Sequence, residues 1–591
     1  MSRTAARVWL LLILAAGTTL RFSALSYGLP FVYNPDEVAI MNRALALPGN
    51  GFNPHNFLYP TLYFYVLFLW EALGLAVGRV VGVFDSFAAF ERSYFADPTW
   101  IFLAGRTLTA ICGVITIWLT YLLGRRVSGR VAGLIAAAAM AASPIAVRDA
   151  HYVKHDVPVT LLVVAAILVL LRADAARGHE DARRVMRRWA IAGAVAGLAM
   201  STHYYAIFLA LPIAAAALWP TDMDEPLVVR IRWLVAAGVA ATIAFVGGSP
   251  FLLLEPARLM TDVIGNRQIV IDRTTEAAGL FGSLGFYLRV LVDDGIGIVG
   301  TILALFGLWY AMKRGRAPLV ALLIFPIAFL LFIGNTFPAT RYLNPVLPFA
   351  AAVAGLGGAA LLALPRRKWF LEPQLTKAAY RSEWLWNASV AILAVFVSMI
   401  TQASRGDGFF AQIDTRTQAY NWIATNLPAG SSVLVQPYSV ALRQSREGLI
   451  EALRSTVGSE QNASTRFAKQ LALNPYPAPS YRTIYLGDGG LDQDKIYVSP
   501  SAFAEGTLAP LRALAVTHVI LKRYNQPDVA LTSLDRALAK EAQLIVTFSP
   551  YRAAASPTTR AAVPPFLHNT DARIDPALER PGPIVEIWQL R

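Results

Sequence analysis

Two adjacent acids, Asp36 and Glu37, follow Asn34 and Pro35 in a chain that is otherwise strongly apolar. Four more polar segments interrupt apolar runs. They are Asn53 Pro54 His55; RDAHYVKHD from Arg148 to Asp156; STHYY around His203; and TFPATRYLNP around Arg341 and Tyr342, with the stretch 252–291 beside them. An ionisable residue next to hydrocarbon costs roughly 2.5 to 3.5 kcal/mol at the bilayer centre, so such a gathering marks a functional site by default. Carboxylates at Asp36, Glu37 and Asp156 could exchange protons with a substrate. Arg341 could clamp an anion such as phosphate through two oxygens, with Lys154 next in line. Each has a plainer reading. Asp36 could cap a helix starting near Val38, Asp156 could cap one entering at Pro158, and Lys154 could anchor at lipid headgroups.

Other residues leave more than one role open. His55, His203 and Glu37 could hold a divalent metal, but no ligand pair at i, i+4 supports zinc, and the cofactor stays unknown. Tyr33, Tyr59, Tyr63, Tyr65 and Trp70 could pack on a sugar or a lipid tail, or form an interfacial aromatic belt. Arg106, within an apolar segment, should either reach a carboxylate of the first loop or tie two helices together. The chain has no Gly-rich phosphate loop, no paired CxxC, no HExxH and no GxSxG. Its one cysteine, Cys112, lies in an apolar run and reads as a packing residue.

The elements that must position these residues are membrane helices. Of 591 residues, 56% are hydrophobic and 15% charged, against about 25% charged in soluble domains. The formal charge of +14 sits in short clusters between apolar runs rather than in one stripe, which argues for membrane orientation and against nucleic acid. Apolar stretches near 7–25, 99–123, 131–147, 157–172, 189–219, 233–251, 292–312, 317–334, 343–364 and 385–402 are candidate spans, with 189–219 crossing twice around His203. Basic clusters at Arg125 to Arg130, Arg177 to Arg188, Arg230 and Arg232, Lys313 to Arg316, and Arg366 to Lys368 should face the cytoplasm. They do so together only if the apolar stretch 58–82 fails to cross and lies in the outer leaflet. The expectation is eleven spans and one juxtamembrane helix, with the N-terminus cytoplasmic and all these polar segments, the stretch 252–291 included, on the outer face.

Beyond residue 402 the composition changes. Short β-type runs at SSVLVQ from Ser431, YRTIYLG from Tyr481, VTHVILKRY from Val516, AQLIVTF from Ala542 and VEIWQL from Val585 alternate with helical stretches. This predicts a transmembrane domain over 1–402 and a small α/β soluble domain over 403–591, outside the membrane.

Several of these motifs, in this order, resemble the GT-C glycosyltransferases of the protein O-mannosyltransferase and lipid A aminoarabinose transferase superfamily. They are Asp36 Glu37 in a long first loop, Ser143 Pro144 leading to Asp156 Val157 Pro158, RYLNPVLPF from Arg341, and DTRTQAYNWIATNLPAGSSVLV from Asp414. The resemblance implies a bacterial inner-membrane enzyme. It would move one sugar from a polyprenyl-phosphate donor to an acceptor hydroxyl on a lipid, glycan or protein, with inversion, at the outer face. It also implies that Asp36 is the general base with Glu37 behind it, and that Asp156 holds the acceptor or the base. His55, Tyr59, Lys154, His203, Arg341 and Tyr342 would then contact substrate. This chain departs from the pattern in carrying Leu58 Tyr59 Pro60 where relatives have a basic residue beside proline, and His203 where many have lysine. An oligosaccharide ligase or polymerase, and a non-catalytic transport or assembly protein, are the alternatives.

Overall fold

The computed structural model describes all residues except 220–224, 364–376, 491 and 567–572, and leaves out the side chains of 377–384. The basic cluster at Arg366 to Lys368 therefore lies outside the described residues. The chain forms two compact units, one of residues 1–25, 34–73 and 103–407, the other of residues 26–33, 74–102 and 408–591.

The first unit is a helical bundle. Among the described residues, seven helices are long and apolar enough to cross a membrane, or eight if the bent pair Leu284–Gly295 and Gly297–Lys313 counts as one span. The expected eleven is thus supported in part, and the difference has local causes. Thr99–Ala142 runs as one 44-residue element but reverses at Ser128 and Gly129, where Gly129 takes a φ of +85°. Its two arms then pack so closely that a Cβ at Gly133 would meet the Tyr121 carbonyl oxygen at 2.6 Å. Ala182–Thr202 carries four arginines in its first two turns, and Tyr204–Leu218 and Leu347–Ala363 are short for a span.

Small residues let these helices touch. A Cβ at Gly193 or Gly197 would meet the carbonyls of Ala237 and Ala241 at 2.0 and 2.1 Å. This four-residue spacing of small residues is the usual way for helices to pack where hydrophobic burial offers no drive. It also sets Ala182–Thr202 parallel to Leu227–Gly248, so the chain between them runs back the other way, as the break at His203 predicts.

Leu62–Val80, expected to lie in the outer leaflet, is itself a helix long and apolar enough to cross. Its contacts place it at one end of the bundle. Trp70 Nε1 donates to the Ala104 carbonyl at 2.8 Å, in the first turns of the Thr99 helix. The arm from Thr99 to the break is about 43 Å long at ~1.5 Å per residue, against ~30 Å of hydrocarbon, so part of it must overhang.

The second unit centres on a six-stranded sheet in the order β3-β2-β1-β4-β6-β5. The strands are β1 Ser432–Val435, β2 Arg482–Leu486, β3 Ile496–Val498, β4 His518–Arg523, β5 Ala542–Phe548 and β6 Ile584–Leu590. β3, β2, β1 and β4 are mutually parallel, and β6 and β5 continue the sheet antiparallel. Five of the six fall on the runs read from sequence. Helices such as Thr415–Asn426 and Ala509–Ala513 alternate with the strands, as expected. One face buries Leu434, Ile484 and Val519, the other Val433, Val435 and Ile520, as alternation along strands requires. Ser26–Tyr33 of the first loop packs into this unit. Tyr33 shares a hydrogen bond of 2.7 Å with Thr417, and Phe31 lies 4.4 Å from the Tyr420 ring.

Candidate functional site

The helix Pro35–Ala46 begins at Asn34, whose Oδ1 accepts from the Asp36 backbone N at 3.1 Å, with Pro35 in its first turn. Asn34 therefore supplies the cap, and the plainer alternative reading of Asp36 as the cap does not hold. A second carboxylate then fixes the helix. Glu37 is fully buried and accepts from Arg106 Nε and Nη2 at 2.9 and 2.8 Å and from the Val153 backbone N at 2.9 Å. Arg106 also donates to the Leu25 carbonyl at 2.8 Å. Both readings of Arg106 hold at once.

The Glu37 bond to Val153 brings the loop 150–155 against the helix, and this sets the neighbouring pair. Lys154 Nζ lies 2.9 Å from Asp36 Oδ2, and Arg341 Nη1 lies 3.9 Å from the same oxygen. Lys154 is 4% exposed, Arg341 24%, and the Asp36 side chain 46%. Burial lowers the Lys154 pKa and Arg341 lowers it further, while Asp36 and Asp156 pull it back up. Burial also opposes the charge on Arg341. Tyr342, Asp156, Asp36 and Tyr59 outweigh it, and the guanidinium is held above its ordinary value.

Arg341 is held by its own turn. Asn344 Nδ2 donates to the Arg341 carbonyl at 2.9 Å and to Asp149 Oδ2 at 2.6 Å, and the other Asp149 oxygen accepts from Arg148. The loops around 150 and 341 are thus joined through a buried acid and amide. Tyr342 adjoins, with the Arg341 guanidinium 5.2 Å from its ring. Asp156 opens the helix Asp156–Asp174 without a side-chain cap, so the alternative reading of it as a cap does not hold either; its carboxyl is buried among these groups.

Beside the charges lies an aromatic wall. Tyr59 stacks on His155 at 4.4 Å and meets His203 edge-on at 5.2 Å, and His203 lies 3.8 Å from Tyr205. Thr61 and Ser201 both bond to Ser249, fixing the wall from behind. His55 is placed elsewhere, exposed and 2.8 Å from Glu255. His55, His203 and Glu37 are therefore not one ligand set, and no group of three His, Cys, Asp or Glu suited to a metal occurs among the described residues.

Two residues went unremarked in the sequence. Arg43 lies seven residues after Asp36, hence on the same helix face, and is half-buried. Among the described residues it has no hydrogen bond or ion pair. Burial lowers its pKa, while Tyr59, Asp262 and Asp36 support its charge. His155 was hidden inside a run of polar residues.

Residues 101–253, which hold both arms of the long helix, the Arg148 to Asp156 loop and His203, match the family model described as dolichyl-phosphate-mannose-protein mannosyltransferase. The fold is similar to that of the archaeal oligosaccharyltransferase AglB from Archaeoglobus fulgidus, solved with an inhibitory peptide and a dolichol-phosphate. That likeness has 12% identity over 99% of this chain and 88% of that one, at a TM-score of 0.52. ArnT from Cupriavidus metallidurans in the apo state aligns at 14% identity over 99% and 98%, at a TM-score of 0.51. The chain has the GT-C glycosyltransferase fold. No curated protein matches it in sequence. Within the GT-C fold, the matched segment supplies Arg106, Lys154, His155, Asp156 and His203, whereas Asp36, Arg43 and Arg341 lie outside it.

Proposed function

We propose that the protein is a membrane glycosyltransferase that takes a sugar from a polyprenyl-phosphate donor and transfers it, with inversion, to an acceptor hydroxyl. The observation that carries this reading is the open Asp36 carboxylate, held by its edge between Lys154 and Arg341. Asp36 takes the proton of the attacking hydroxyl as its oxygen bonds to the anomeric carbon. The bond from that carbon to the phosphate oxygen breaks, and the electron pair leaves with the lipid phosphate. Arg341 receives the growing negative charge, with Lys154 in support, while Arg43 attracts the donor phosphate from a distance. The two roles fit together. A carboxylate paired with Lys154 is a weak base, but an arriving phosphate competes for the lysine and frees the carboxylate for the acceptor. Tyr59 and His203 offer a wall for the sugar. Asp156, buried near Arg341 and Lys154, positions these cations.

The dolichol-phosphate bound by AglB and the name of the matching family support a lipid-phosphate donor. The clustering of basic residues supports an outer-face site with the C-terminal unit on the same side. A cysteine at Gly489 should react from outside, and one at Gly178 should not.

The deciding experiment is transfer from synthetic polyprenyl-phosphate mannose by purified Asp36→Asn protein, alongside donor binding. Asn keeps the size of the side chain, and the cap belongs to Asn34, so the variant should fold and bind donor. Transfer should fall roughly 10² to 10⁴-fold. Full activity in that variant would end the assignment of Asp36. Mass analysis of the product separates transfer of one sugar from transfer of a preassembled glycan, the activity in the name of AglB.

A further inference from the structure

The sheet of the second unit reverses its winding between β1 and β4. From β1 the chain moves to β2 and β3 on one side, and later returns to β4 on the other, with all four strands parallel. Loops leaving the carboxyl ends of β1 and β4 therefore diverge, and such a crevice is where open parallel sheets bind ligands.

The residues found there are unusual. The loop after β1 is pinned by Gln436, whose N donates to the Ile520 carbonyl and whose Oε1 accepts from the Lys522 backbone N, both at 2.9 Å. The next turn puts Tyr438 at a φ of +68°, a left-handed conformation that glycine adopts freely and a tyrosine resists. Tyr438 is nonetheless 49% exposed, and Tyr524, just past β4, is 36% exposed. Lys522 Nζ lies between them, 5.1 Å from one ring centroid and 5.5 Å from the other. Among the described residues no carboxylate reaches that ammonium as an ion pair. Burial lowers its pKa and Arg416 does so too, with Asp528 partly opposing them. A tyrosine held at a left-handed φ, half exposed and beside a cation with no ion pair among the described residues, is strain of the kind that gathers at binding sites.

We propose that the crevice at the carboxyl ends of β1 and β4 binds a sugar ring carrying an anionic group, phosphate or carboxylate. Tyr438 and Tyr524 take the ring on their faces, and Lys522 takes the anion. That the bound sugar belongs to the acceptor rests on the transferase reading above. It is favoured by the segment Ser26–Tyr33, which packs in this same unit with the Tyr33 ring 3.7 Å from Arg416. In sequence, that segment leads directly into Asn34 and Asp36.

The test uses full-length protein in nanodiscs and saturation-transfer NMR with glucose 6-phosphate, glucuronate and glucose as probes. At least one acidic sugar should bind more tightly than glucose, and which of them does so tells phosphate from carboxylate. Lys522→Met should weaken that binding about tenfold, the equivalent of one ion pair. Tyr438→Gly should weaken it while relieving the backbone, so the loss cannot come from misfolding; Tyr438→Phe should restore it. The proposal is overturned if neither acidic sugar binds, or if binding survives Lys522→Met and Tyr438→Gly. Loss of binding only in Arg341→Ala would assign the probe to the membrane site and overturn it as well. Lys522-dependent binding in a protein that transfers no sugar would keep the crevice and end only the acceptor role.

Discussion

The two carboxylates that begin the helix Pro35–Ala46 are neighbours in sequence, yet their surroundings differ. Glu37 turns inward, where Arg106 grips both its oxygens and a backbone N–H takes a third bond, and full burial leaves no open edge for a substrate. Asp36 turns to a half-open edge and meets Lys154 by one oxygen, with Arg341 at 3.9 Å. One pair is closed and holds the loop in place. The other is open and can change partners when an anion arrives. A charge whose bonds are all made contributes to the architecture, while reactivity needs a charge whose bonds can be exchanged.

This contrast can be broken most directly by removing each acid in turn. Asp36→Asn should cost roughly 10² to 10⁴ in transfer and less in thermal stability than the loss of Glu37, since buried Lys154 loses its ion pair but keeps the support of the Asp156 carboxylate. Glu37→Gln should do the reverse. It strands Arg106 in the bundle, and breaking a buried pair this way costs about 3 to 5 kcal/mol. Thermal unfolding in detergent should show that loss, with residual activity following the folded fraction. Equal stability of the two variants would erase the distinction.

The sequence showed where the polar segments lie but not which of their charges are already spent. The five β-type runs were legible from β-branched and aromatic residues between turn formers; β3 was missed because only Ile496 Tyr497 Val498 carry it. The reversal at His203 was legible as a polar break in an apolar run. The reversal at Ser128 to Gly129 was expected as a short basic loop and is a tight hairpin inside one long helical element. Arg43 could have been found by counting seven residues on from Asp36. The partner of Glu37 could only be narrowed, because Arg106 lies 69 residues away and no local pattern joins them.

A smaller effect is expected at the leaving group. Arg341→Ala should weaken transfer about 10 to 100-fold, the range for a hydrogen bond to a charged group. Arg341→Lys should recover part of it, since a point charge replaces a planar fork. Kinetics with the lipid donor decide this, and an unchanged Arg341→Ala protein would move the phosphate to Lys154 or His203. The Asn344 bonds should act on transfer through Arg341, so Asn344→Ala added to Arg341→Ala should cost little more activity, while the lost bond to buried Asp149 lowers stability.

The smallest effect sharpens the comparison, because Arg43 carries a charge that neither pair uses. It shares a helix face with Asp36 and is held half-buried without an ion pair, at a cost in solvation that its position must offset. If it attracts the donor phosphate from a distance, its contribution is Coulombic and made equally in the ground and transition states. Arg43→Met keeps the apolar stem and removes the charge. The KM for donor should then rise about fivefold, near 1 kcal/mol, while kcat stays the same. Raising the ionic strength should narrow the gap between variant and parent, since a partly exposed charge is screened. A structural Arg43 would leave KM and its salt dependence untouched, and a fall in kcat instead would place Arg43 in the transition state with Arg341.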